Sequence, residues 1–80
     1  MTVILGVKLV NREQASLKFQ EIITKYGCSI GTRIGLPPKN RECEQWGIIL
    51  LEINDFSQAE KLEKELLKID NVELQRMVFK

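Results

Sequence analysis

The chain has 80 residues, room for one domain (1–80) and for a core that hides about 60% of the surface the unfolded chain exposes. Twelve Lys and Arg stand against eleven Asp and Glu, and a net charge of +1 gives no field to hold nucleic acid by counterion release, so no direct nucleic-acid partner is expected. No apolar run reaches the roughly 18 residues of a membrane span, and the apolar start TVILGVKLV carries Lys8 without a basic lead-in or a small-residue cleavage site; a soluble cytoplasmic protein with no membrane partner is expected.

In chain order, TVILGVKLV alternates Val3, Leu5, Val7 and Leu9 against Ile4, Gly6, Lys8 and Val10, the period of a strand. Asn11 followed by Gln14 predicts a helix opened by a capping box. Ala15, Phe19, Ile22, Ile23 and Tyr26 form its apolar stripe, and Gly27 is placed to end it in a left-handed conformation. A second strand is expected from Cys28 to about Leu36, with Ile30, Ile34 and Leu36 on one side and Gly31, Arg33 and Gly35 on the other. PPKNRECEQ reads as a loop, because proline cannot donate to a ladder and the rest is polar. WGIILLEIN is a third strand. Asp55 then caps a second helix with Ala59, Leu62, Leu66 and Ile69 facing inward, Asp70-Asn71 stops it, and VELQRMVF alternates as a fourth strand.

The order βαββαβ predicts an α+β, ferredoxin-like plait. Its four-stranded antiparallel sheet, in the order 4-1-3-2, should carry both helices on one face. The third strand does not fit a sheet with a wet outer face. Trp46, Ile48 and Leu50 point away from the helices, and Ile4, Met77 and Phe79 join them. Each would contribute about 1.5–3 kcal/mol if buried, in a domain whose whole stability is about 4–12 kcal/mol. A cover is therefore expected: a second copy of the chain in a homodimer or homotetramer, or a small molecule lying on the patch. The same face is expected to carry Lys8, Arg33 and Gly35 with Gly6 and Gly31. The Arg33 guanidinium, bracketed by glycines, presents a fork to a carboxylate or phosphate, or else makes a cross-strand or intersubunit salt bridge.

Enzyme chemistry is missing from the pattern. There is no histidine, no glycine-rich phosphate loop opening a helix, and no Ser or Cys beside a base, so no catalytic residue, metal site or cofactor is expected. Cys28 and Cys43 have neither CxxC spacing nor a zinc half-site spacing and read as free thiols.

The stretches TRIGLP (32–37), GIILLEI (47–53) and IDNVELQRMVF (69–79) resemble the small family of iron-only (FeFe) hydrogenase system regulators. That family is related in fold to ACT domains and to the C-terminal domain of the nickel-responsive repressor. The resemblance implies a stand-alone ACT-like regulatory module: a non-enzymatic, ligand-sensing homo-oligomer built through the sheet, with a partner protein or a small anionic or amino-acid effector at a subunit interface lined by Arg33, Gly35 and Lys8. It does not transfer a nickel site, which needs histidines. The alternatives are a ligand-free structural or adaptor oligomer and a small acylphosphatase-like enzyme; the latter needs a glycine-rich anion loop after the first strand, where this chain reads VNREQAS.

Overall fold

The computed structural model describes residues 1–9, 12–36, 47–70 and 72–80, and within the first helix the side chains from Leu17 onward. Strand β1 (Thr2–Leu9) leads to helix α1 (Arg12–Lys25), a 3-10 turn (Gly27–Ser29) and β2 (Ile30–Leu36); β3 (Gly47–Ile53), helix α2 (Phe56–Leu66) and β4 (Val72–Phe79) follow. The sheet runs β2-β3-β1-β4 with every neighbouring pair antiparallel, the expected order read from its other edge.

The alternation of β1 decides the layering. Val3, Leu5 and Val7 are fully buried and Leu9 nearly so, while the residues between them are only half-buried. Phe19 and Ile23 of α1 and Ala59, Leu62 and Leu66 of α2 meet that row together with Leu51 and Ile53 of β3. Both helices therefore cover one face of the sheet. The Asp55 carboxylate accepts from the backbone amides of Ser57 (2.9 Å) and Gln58 (3.3 Å), a side-chain cap of the kind that contributes about 1 kcal/mol. Across the helices the Lys25 ammonium lies 2.9 Å from Glu65 Oε1, and Arg76 of β4 reaches Glu63 of α2 at 3.3 Å.

Three local expectations change. Gly27 does not adopt a left-handed conformation; it opens the 3-10 turn, where the Ser29 amide donates to the Tyr26 carbonyl at 2.9 Å, so β2 begins at Ile30 and not at Cys28. Helix α2 ends at Leu66, ahead of Asp70, because the amides of Lys68 and Ile69 bond three residues back and tighten the last turn. That turn still delivers Ile69 to the core. The Asn11–Gln14 cap, Ala15, Cys43, Trp46 and the whole loop from Pro37 lie outside the described residues or side chains. Cys28 is exposed.

The third change bears on function. Ile30 pairs with Ile53 but Thr32 pairs with Glu52, so β2 spends two residues where β3 spends one: a β-bulge with Gly31 as the extra residue. A side chain at Gly31 would meet Glu52 Oε1 at 3.1 Å, closer than most such contacts allow. An extra residue reverses the phase of everything after it. Ile30 packs against the core, whereas Thr32, Ile34 and Leu36 stand beside Glu52, Leu50 and Ile48 on the opposite face. Arg33 and Gly35 fall on the helix side, beside Leu51 and Ile49.

Candidate functional site

Strand pairing writes the helix-free face out in rows, each running from β2 across β3 and β1 to β4. The first row is Leu36, Ile48, Lys8, Glu73; the second Ile34, Leu50, Gly6, Gln75; the third Thr32, Glu52, Ile4, Met77; and a last pair is Thr2, Phe79. The apolar residues do not fill the face evenly. They form a continuous band from Leu36 and Ile48 at one corner, over Gly6, to Met77 and Phe79 at the corner diagonally opposite. The remaining corners are polar: Lys8, Glu73 and Gln75 at one, Thr32 and Glu52 at the other.

Along the band Ile34 is 50% exposed, Leu36 45%, Met77 55% and Phe79 56%. Ile4, Ile48 and Leu50 are half-buried. A contiguous patch of this kind differs from scattered surface apolar residues and marks an interaction surface. Over Gly6 the band sinks into a depression of about 400 Å³ whose wall includes Ile4, Ile48, Leu50 and Met77, with Lys8 and Glu73 at its polar end. A second hollow of about 230 Å³ continues between Ile4, Ile34 and Leu50. At the far polar corner the Thr32 hydroxyl donates to Glu52 Oε1 at 2.8 Å, which leans that carboxylate toward β2.

Of the residues expected here, Ile4, Ile48, Leu50, Met77, Phe79 and Lys8 share this face, while Trp46 is outside the described residues. Arg33 and Gly35 are corrected: the bulge puts them across the sheet from Lys8, and the Arg33 guanidinium donates to Gln20 Oε1 of α1 at 3.2 Å. The three residues assigned to an effector are therefore not brought together. Ile34 and Leu36 were missed, and the signal for them was a glycine between Ile30 and Thr32 at the mouth of a strand, a frequent mark of a bulge. Among the described residues no group of His, Cys, Asp and Glu could hold a metal ion, and no helix is long and apolar enough to cross a membrane.

Gly6 can be tested alone. A Cβ there would sit 3.6 Å from Leu50 Cδ2 and 3.9 Å from the Gln75 carbonyl oxygen, ordinary contacts within the chain. Gly6→Ala is expected to leave the unfolding free energy of the single chain within about 1 kcal/mol of the native value, since it also stiffens the unfolded chain. The same methyl raises the floor of the depression. Self-association measured by sedimentation should weaken, and an unaltered association constant would mean that nothing closely approaches this floor.

No protein-family model and no curated protein matches the chain. Solved structures do. The uncharacterized protein TM1266 from Thermotoga maritima superimposes with a TM-score of 0.85 at 28% identity, over 99% of this chain and 96% of that one. The ACT domain from the GTP pyrophosphokinase of Chlorobium tepidum gives 0.69 at 14% identity, over 96% and 97%. The fold is ACT-like. A de novo designed protein, Foldit4, shares the ACT-like arrangement with a TM-score of 0.67 at 16% identity, over 99% and 97% of the two chains. A designed chain reaching the same arrangement underlines that the fold by itself assigns no activity.

Proposed function

We propose that this chain is a non-enzymatic ACT-like regulatory module of the iron-only hydrogenase system that works as a homo-oligomer assembled through its helix-free sheet face. The observation that carries the reading is the unbroken apolar band over Gly6, half-exposed at both ends. The hydrogenase assignment rests on the resemblance at TRIGLP, GIILLEI and IDNVELQRMVF. The depression beside Lys8 suits a small anionic or amino-acid effector that lays an apolar side chain on Ile4, Ile48 and Leu50 and its carboxylate toward the ammonium. With Arg33 on the other side of the sheet, Lys8 is the cation that this effector would meet.

Two measurements test the proposal. Sedimentation velocity over a dilution series should show a dimer or tetramer, and a folded monomer at all concentrations would end it. Thermal-shift screening against amino acids, small carboxylates and nucleotides tests the effector, since a ligand at 100 times its dissociation constant adds about 2.7 kcal/mol. An oligomer that answers to none of them is a ligand-free adaptor. The continuity of the band past both ends of the depression favours that second reading, because a small ligand would cover only its middle.

A further inference from the structure

The sheet ends in two open strands, and they are not alike. On one side β2 is interrupted by the bulge at Gly31 and is followed in the sequence by Pro37 and Pro38. A bulge twists an edge away from a further strand, and proline offers no donor to one. On the other side β4 pairs with β1 over all eight of its residues without a shift. Its end carries no such guard: Met77, Val78 and Phe79 are consecutive, apolar and exposed, and they alternate between the two faces of the sheet. The charge on its helix side, Arg76, is held inward by Glu63 at 3.3 Å and lies over the Phe56 ring.

Helix α2 turns a flank toward the same strand. Glu60, Glu63, Lys64 and Leu67 recur at helical spacing, one step round from the core stripe of Ala59, Leu62 and Leu66. With Arg76 they wall a hollow of about 270 Å³, and Leu67 stands exposed at it. An edge strand beside a helix flank is a groove of the form that takes an extended segment as one more strand. Main-chain hydrogen bonds hold such a segment, and pockets for its alternate side chains select it.

A second copy fits this edge poorly. When a strand pairs antiparallel with itself about a two-fold axis, opposed residues share a face, so the two registers of fullest overlap centre on Arg76 and on Gln75. The first sets Arg76 on Arg76 and Glu73 on Phe79. The second sets Arg76 on Leu74 and Glu73 on Met77. Both place charge against like charge or against an apolar side chain.

We infer that β4 and the α2 flank form a docking groove for an extended segment of a different protein, which adds antiparallel to β4 as a fifth strand. Complementarity to VELQRMVF specifies the segment. Beside Phe79, Val78 and Met77 it carries apolar residues, beside Arg76 an acidic one, beside Leu74 an apolar one and beside Glu73 a basic one. The groove stands whether or not a second copy covers the open face.

The probe is the peptide IVIETVKV, acetylated, amidated and flanked by lysines, with the charge-swapped IVIKTVEV as its control. Titrated into the isotope-labelled native chain, the first should shift the amide signals of β4 and of the α2 flank, and bind about fivefold or more tightly than the second. Val78→Lys adds an inward charge of the kind that guards natural edges and should weaken binding about tenfold. Leu67→Lys leaves the strand alone and should weaken it about threefold, while Leu17→Ala on the exposed side of α1 should not alter it. Shifts confined to β2 or to the open band, equal affinity for the two peptides, or no binding of either at millimolar concentration would overturn the groove. If alternate amides along β4 on its outer side resist hydrogen exchange before any peptide is added, a second copy occupies the edge, which overturns it equally.

Discussion

Leu50→Glu is expected to give a folded monomer. Leu50 lies at the middle of the band, half-buried, beside Ile34 and Gly6, on the side of the sheet that no helix covers. In an isolated chain the new carboxylate reaches water, so the urea midpoint should move little. In an assembly each copy loses about 1.5–3 kcal/mol of apolar burial, and two-fold symmetry doubles the loss to roughly 3–6 kcal/mol, about 10²–10⁴ in the dissociation constant. Desolvating the carboxylate acts in the same direction. Sedimentation on the native and variant chains at matched concentrations decides it. A variant that assembles as well as the native chain would remove the open face from the interface altogether.

Phe19→Ala should act on the fold with the reverse selectivity. Phe19 is fully buried between α1 and the β1 row, among the largest side chains with no exposure at all. Truncating such a residue costs about 3–5 kcal/mol, from the lost transfer energy together with the cavity left behind. A chain of this size has only about 4–12 kcal/mol in total, so the variant should lose a large share of its stability and unfold at a much lower urea concentration. Leu17, on the same helix but 75% exposed, is the control: Leu17→Ala should shift stability by no more than about 0.5 kcal/mol. Equal effects of the two would mean that α1 does not pack as described.

The parts legible in the sequence were those set by uninterrupted local periodicity. The alternation of Val3, Leu5, Val7 and Leu9 named the buried side of β1, and β3 and β4 inherit their phase from it residue by residue, so Ile4, Ile48, Leu50, Met77 and Phe79 were placed correctly. Asp55 was readable as a cap because its bonds reach only two and three residues ahead. The phase of β2 was not readable in the same way. An extra residue is defined only against a partner strand: Gly31 within IGTRIGL permits a bulge, but it does not report that Ile53 and Glu52 face Ile30 and Thr32. The error cost the site two apolar members, Ile34 and Leu36, and lent it Arg33 and Gly35. Gly27 failed for a related reason, since a 3-10 continuation and a left-handed stop both tolerate glycine.

The bulge at Gly31 also lets one short edge strand serve two surfaces. Ile30 stays with the interior, while Thr32, Ile34 and Leu36 stand on the open side. A chain that kept Gly31 but continued the Ile30–Ile53 register without the bulge would turn Ile34 and Leu36 toward the helices and Arg33 toward solvent. Stickiness of the outer surface is in this sense a matter of alignment, decided by one residue left out of the ladder rather than by the composition of the strand.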